Sequence, residues 1–366
     1  MQETILPATV SVRKVTRYNR TDILQAVSEI YEAAGGPDPK GMKILLKPNI
    51  LADVPPERAV TTHPDIFYAC ARFFLDRGAT VLAGDSPAIH KTGFKPKVCG
   101  IAAVCEELDI PWVDFTKNPV QRNHFKLARI IDEVDLIVSL PKCKTHELAY
   151  FTGATKNLFG LIPAFSKAFL HAKYPNRYVF SNMVLDLYST LKPGFAIMDA
   201  IVGMEGAGPQ NGQAKHIGVI LGSADHIALD IVAARIIGYD AMKIPMLADA
   251  VKRGIILTDP DDIHIEGGEL KEFYVKNFKR IKIHHRYNYV HMGVRWEQIR
   301  RRFDKRPVFE HESCILCKKC VEICKSDALK VEDGKIKLTD RKCIRCYCCH
   351  EVCPVNAIKI KRKVFG

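Results

Sequence analysis

No stretch of about 18 consecutive apolar residues occurs anywhere in this 366-residue chain, so no membrane-spanning helix is expected. The opening residues, Met1 to Pro7, place an acid where a secretory signal needs base and lack a sustained apolar core, so a cytoplasmic location is expected. Low-complexity tracts are lacking too. With 47% hydrophobic and 26% charged residues, the composition is that of a globular protein and excludes disordered and collagen-like classes. There is no helix-turn-helix signal and no zinc-finger spacing, which argues against nucleic acid as a partner despite the positive charge. Gly206-x-Gly208-x3-Gly212 is not a dinucleotide fingerprint, because Pro209 interrupts it and a strand rather than a helix follows. Nicotinamide binding is therefore disfavoured, while a phosphate-cradling role for Gly206 and Gly208 stays open.

Acid is in short supply: 41 Asp and Glu face 54 Lys and Arg, for a net charge of +13. Residues 270–310 hold twelve Lys and Arg against Glu272, Glu297, Asp304 and Glu310, which is +8 of that surplus. This stretch reads as a basic connector over 269–309. Beside a negatively charged redox centre, such a collar favours docking and speeds encounter.

Cysteine is plentiful and unevenly spread. Four of the 13 (Cys70, Cys99, Cys105 and Cys143) are scattered through the first 300 residues, and nine crowd into the last 53. In a reducing compartment such density points to metal ligation rather than disulfides. Cys314-x2-Cys317-x2-Cys320-x3-Cys324 is repeated as Cys343-x2-Cys346-x2-Cys349-x3-Cys353-Pro354 at a constant offset of 29 residues. The repeat continues past the cysteines, with Ala328-Leu329-Lys330 matching Ala357-Ile358-Lys359. Three thiolates at x2 intervals on a tight loop each reach a different iron of one cubane, while the fourth points towards the partner cluster. Cys314, Cys317, Cys320 and Cys353 are thus expected to hold one [4Fe–4S] cluster, and Cys343, Cys346, Cys349 and Cys324 the other. Cys348 breaks the spacing and is read as a non-ligand. These quartets do not divide into the paired knuckles of structural zinc. Residues 310–362 resemble bacterial-type ferredoxins carrying two [4Fe–4S] clusters, with Lys325 standing where the first motif often has proline.

The body, residues 1–268, alternates β-rich apolar runs with helical patterns, the signature of βαβ units in an α/β domain with a largely parallel sheet. Strands are predicted over Thr9–Val15, Lys43–Leu46, Thr80–Ala83, Leu136–Leu140, Phe195–Val202 and Ile217–Leu221. Helices are predicted from Pro64 to a stop at Gly78, and from Asp225 to a stop at Gly238. Polar segments follow five of the strands: Lys47-Pro48-Asn49, Gly84-Asp85-Ser86, Pro141 to His146, Gly203 to Pro209, and Gly222 to Asp225. Ligands of open α/β sheets bind beyond the carboxyl ends of strands, so these ends should converge on one polar crevice.

The body resembles a family known as domain of unknown function 362, which sometimes carries an appended ferredoxin module. The resemblance runs in order through Lys47-Pro48-Asn49, Thr62-His63-Pro64, Gly84-Asp85-Ser86, Lys144-Thr145-His146, Thr152 to Gly160, Asp199 to Gly212 and Ala228-Leu229-Asp230. It implies an iron-sulfur protein and supplies no substrate.

Within the expected crevice, Lys144, His146, Lys156 and Asn157 suit a carboxylate or phosphate, with His146 or Lys144 as proton donor. Lys47 and Asn49 could join the same site, Asp85 is a candidate cation ligand or general base, and Glu205 in its glycine-rich loop is a candidate catalytic carboxylate. Asp199 and Asp225 are candidate bases or cation ligands. His63 could serve as a helix cap or a contact, and His171 reads as structural. Cys143, between two lysines, is more readily a packed thiol than a nucleophile. The expected class is a ferredoxin-fused oxidoreductase that takes electrons from a soluble partner to an anionic small molecule, with any further organic cofactor undefined. The alternatives are an electron-transfer or assembly partner without its own chemistry and, in third place, a nucleic-acid-binding iron-sulfur protein.

Overall fold

The computed structural model describes residues 7–87, 93–283 and 305–362 of the chain. Its centre is a nine-stranded mixed sheet. In chain order the body elements are β1 (Thr9–Lys14), α1 (Arg20–Ala33), β2 (Lys43–Pro48), α2 (Pro64–Asp76), β3 (Thr80–Ala83), α3 (Ile101–Glu107), a hairpin of β4 (Val120–Arg122) and β5 (Phe125–Leu127), and β6 (Leu136–Leu140). There follow β7 (Lys142–His146), β8 (Tyr150–Thr152), α4 (Ala154–Asn157), α5 (Ala164–Lys173), α6 (Arg177–Leu191), β9 (Phe195–Glu205), β10 (Gln213–Ser223), α7 (His226–Ile236), α8 (Pro245–Lys252) and β11 (His264–Glu266).

The strand order is β11-β1-β10-β9-β6-β2-β3, with β7 and β8 attached to β9. The half built from β3, β2, β6 and β9 is parallel. Strand β10 runs antiparallel to both of its neighbours, β9 and β1. Alternation across the pleat divides the core between two faces. Leu45, Ile137, Ala196 and Met198 face the layer of α6, α7 and α8. Ile44, Leu46, Val138 and Ile197 face α1 and α2. Helix α2 starts at Pro64, whose missing N–H costs nothing at a first turn, and is capped by His63 Nδ1 accepting from Asp65 N at 3.2 Å. Helix α7 is capped by Asp225, which accepts from Ile227 N and Ala228 N.

Two features depart from the sequence expectation. Strands β9 and β10 run several residues beyond the predicted ends, because each completes the other's backbone hydrogen bonding as far as Glu205 and Gln213. The predicted loop 141–146 is mostly strand. Pro141 lacks a donor and ends β6, and β7 then resumes pairing further along β9, with Lys142 opposite Asp199 and Lys144 opposite Met204.

The predicted connector also divides. Phe273, Phe278 and Ile281 are buried in the body core, so residues 270–283 pack onto the body rather than crossing solvent. Residues 284–304, including Arg286, Arg295 and Arg300 to Arg302, lie outside the described residues.

The tail begins at β12 (Arg306–Phe309), which pairs antiparallel with β15 (Ile358–Lys361), while β13 (Leu329–Glu332) and β14 (Lys335–Leu338) form a hairpin. The sequence duplication is a duplication of backbone conformation. Left-handed residues recur at the same offset: Leu316 and Arg345, Lys318 and Tyr347, Asp327 and Asn356. Each half places a one-turn helix, Lys319–Glu322 and Cys348–Glu351, directly after its second left-handed residue. Non-glycine residues hold that conformation only where their surroundings require it, here in the tight turns of the cysteine loops.

Candidate functional site

The two cysteine loops place their thiols in two neighbourhoods. Cys314, Cys317, Cys320 and Cys353 line one hollow of about 340 Å³. Burial raises the thiol of Cys349, and the charges of Cys346, Cys343, Cys320 and Cys324 add to the effect. The first neighbourhood takes three cysteines from one half of the repeat and one from the other, and the surroundings of Cys349 likewise draw on both halves. Among the described residues no three Cys, His, Asp or Glu side chains converge on a single metal ion. A cubane spreads four thiolates over four irons and needs no such convergence. The residues therefore fit iron-sulfur clusters by donor chemistry, and Ala357 N donates to Cys353 Sγ at 3.2 Å, a contact of the kind that tunes such centres.

A cavity of the body, about 690 Å³, opens beyond the ends of β2, β3 and β8, with Lys144 of β7 in its lining. Its floor is a closed polar network. Lys47 Nζ donates to Asp85 Oδ1 at 2.8 Å, Pro48 O at 2.8 Å and Asn157 Oδ1 at 3.1 Å. Asp85 Oδ2 accepts from Ile50 N at 2.6 Å, and Asn157 Nδ2 donates to Lys47 O and Ser139 Oγ. Asn49 Nδ2 joins through Asn157 Oδ1 at 3.0 Å. A methyl group at Gly160 would overlap both Lys47 Nζ and Asp85 Oδ1, so glycine there permits the close approach.

Above this floor stand cations that, among the described residues, have no carboxylate in ion-pair contact. Buried Lys144 donates to Val60 O at 2.6 Å, and buried Lys167 donates to Ser86 O. Part-buried Lys156 lies about 6 Å from the rings of Phe159 and Phe180. Burial pushes all three ammonium groups below the usual lysine range, Lys167 to about 7, and the charge of Lys156 adds to the effect on Lys144. His171 also lines the cavity, stacked on Phe180, with its Nδ1 buried and without a hydrogen-bond partner among the described residues. Burial holds it neutral, its pKa lowered to about 3.

The roof comes from the tail: Ile323, Cys348, Glu351 and Val352 line the same cavity. Ile323 and Cys348 pack on Ala168 of α5, with Cys346 and Val352 alongside. Lys325, in the position often held by proline, lies 5.0 Å from the ring of Phe169. Asn211 Nδ2 donates to His350 O at 2.9 Å, and Lys305 Nζ lies 3.3 Å from Glu147 Oε2. The tail is therefore seated on the body with the Cys346 side of its cysteine loops against the cavity.

The structure brings together Lys47, Asn49, Asp85, Lys144, Lys156 and Asn157 from the sequence expectation. Lys47 and Asp85, however, satisfy each other and brace the floor. His146 does not line the cavity. Its Nδ1 accepts from Leu148 N and Ala149 N, leaving Nε2 towards Glu351 Oε1 at 3.4 Å, so it reaches the cavity only through that carboxylate. Glu205, expected as a catalytic carboxylate, lies outside the cavity lining and accepts from Lys279 N at 2.8 Å. Gly206 and Gly208 are likewise not in the lining, where their loop contributes Pro209. Asp199 is ion-paired with Lys142 at 2.8 Å, both fully buried, and Asp225 is a helix cap. Cys143 is buried, its thiol pushed up to about 12, which leaves it protonated at neutral pH.

Sequence reasoning missed Lys167 as a site residue and read His171 as structural. Their spacing of four on one helix, within an otherwise apolar face, was the available signal.

Sequence comparison matches residues 44–235 to DUF362, a domain of unknown function, and residues 301–362 to a 4Fe-4S dicluster domain. A thylakoid-associated protein of Synechocystis sp. is 31% identical over 257 residues, spanning 67% of this chain and 79% of that protein. Among solved structures, the lactate racemase apoprotein of Thermoanaerobacterium thermosaccharolyticum matches with a TM-score of 0.37 and 12% identity, over 60% of this chain and 54% of that one. A Thermotoga maritima protein matches with a TM-score of 0.34 and 14% identity, over 57% of this chain and 56% of that one. The chain thus spans little more than half the length of either solved structure, and likenesses this distant carry no argument about chemistry. Ordered body motifs, the duplicated cysteine loops and the two matched segments together make this chain a member of the DUF362 family carrying a C-terminal 4Fe-4S domain.

Proposed function

We propose that the chain is an iron-sulfur oxidoreductase that reduces an anionic small molecule held between the α/β body and its own ferredoxin-like tail. The supporting observation is the shared cavity, where Lys144, Lys156 and Lys167 stand above the Lys47–Asp85 floor and the roof is the tail segment beside Cys346 and Cys324. Two [4Fe–4S] clusters would be held by Cys314, Cys317, Cys320 and Cys353 and by Cys343, Cys346, Cys349 and Cys324. When bound, they supply single electrons.

The protein's own residues bind and orient. Lys144, Lys156 and Lys167 accept a carboxylate or phosphate and regain full charge on doing so. The Lys47–Asp85–Asn157 network holds the floor rigid, and Ile323 and Val352 exclude water above it. Lys144 and Lys167 are the buried proton donors nearest the bound anion, a role the sequence had assigned to His146 or Lys144. A cytosolic setting suits a chain in which none of the 13 cysteines forms a disulfide.

The test is anaerobic. Lys144→Ala, Lys156→Ala and Lys167→Ala are expected to keep wild-type iron content and visible spectrum, while reoxidation of the reduced protein by anionic acceptors slows by about 10²-fold or more. Wild-type rates in the triple variant would instead establish a carrier without its own chemistry.

A further inference from the structure

The two thiol neighbourhoods differ in what surrounds them. The Cys346 side faces inward, where Ile323 and Cys348 pave the cavity roof. The Cys314–Cys317–Cys320–Cys353 hollow faces outward. Cys317 is exposed, and the hollow is rimmed by Ile315, Leu316 and Val355, at 61%, 37% and 39% exposure. Large apolar side chains so exposed, grouped around one opening, mark an interaction surface. Beside them stand Lys318 and Lys319, exposed and in no ion pair among the described residues, with Glu312 as the single acid between residues 311 and 320. From residue 305 to 362 fourteen Lys and Arg face eight Asp and Glu, so the surface as a whole attracts negative partners.

We propose that a small acidic one-electron carrier protein docks on the Ile315–Leu316–Val355 rim, guided by Lys318 and Lys319. Electrons thus come in at the outward quartet and leave towards the cavity from the inward one. In the docking step one electron leaves the carrier, which is oxidised, and reduces iron held by the outward quartet; no covalent bond forms or breaks and no proton is required. Apolar contact at the centre with charge at the margin is the arrangement that gives short-lived, correctly oriented encounters.

The inference rests on the cluster assignment and on no reaction in the cavity, so its assay contains no acceptor. A reduced acidic ferredoxin is mixed anaerobically with the full chain and cluster bleaching is followed, with dithionite as a reductant too small to need docking. The Lys318→Glu, Lys319→Glu double variant is expected to slow reduction by the ferredoxin at least tenfold at low salt, to weaken binding of the oxidised ferredoxin by a similar factor, and to leave the dithionite rate unchanged. Wild-type reduction is expected to slow as salt rises, and the double variant to respond little. A Lys252→Glu control on α8 is expected to match wild type. Ile315→Glu probes the apolar rim, and if it loses iron the double variant decides alone. Ferredoxin rates within twofold of wild type in the double variant, or a wild-type rate indifferent to salt, would overturn the proposal whatever happens in the cavity.

Discussion

At the scale of single residues, the lysines of the cavity divide by what they touch. Lys47 has three acceptors and braces the floor; Lys144, Lys156 and Lys167 have room for a guest. Lys167, depressed by burial to about 7, is charged below that pH and neutral above it. An anion is held by the charged form, so sulfate affinity, measured by calorimetry, is expected to fall as pH rises through 7, by up to about tenfold per unit from this one group. Sulfate keeps its charge over that range, so the loss belongs to the protein. In the ligand-free protein the same depression has the opposite sign for stability. An unfolded lysine keeps its proton to about pH 10.4 while the folded one has lost it, so this group's contribution rises with pH between about 7 and 10. Gly160→Ala is expected to cost about 1–3 kcal/mol in denaturant unfolding, because its methyl group forces Lys47 and Asp85 apart.

At the scale of elements, β7 is held to β9 by a fully buried ion pair. Asp199 accepts from Lys142 Nζ, from Tyr18 Oη at 3.0 Å and from His63 N at 2.9 Å, tying the start of α2 to the sheet. Lys142→Met leaves that carboxylate buried without its cation, and a loss of about 3–5 kcal/mol is expected in chemical denaturation. The crossing of the cysteine halves makes a second prediction. Cys324→Ser lies in the first motif but should empty the inward quartet, lowering iron from about eight to about four per chain by direct assay while the hollow around Cys317 keeps its iron. These elements were unequally legible in the sequence. Cysteine spacing is local, and strands such as Thr80–Ala83 and Leu136–Leu140 are short apolar runs bounded by turn residues, so both could be read directly. Strand β7 could not, because Lys142, Lys144 and His146 look like loop residues until β9 and neighbouring segments bury them. Lys167 was hidden for the same reason: nothing near it in sequence shows that its helix faces Lys144.

At the scale of the whole molecule, the seating of the tail on the body is a contact between residues more than a hundred positions apart, which no local pattern encodes. Asn211→Leu removes its hydrogen bond to His350 O, and amide exchange across residues 348–353 is expected to quicken as docking loosens, by about 1–3 kcal/mol of local stability. Orientation also sets how the molecule ages in air. Oxygen reaches the hollow at Cys317 freely but meets the packed body on the other side, so corrosion should begin at the outward end. Brief aeration should leave a damaged outer centre beside an intact inner one.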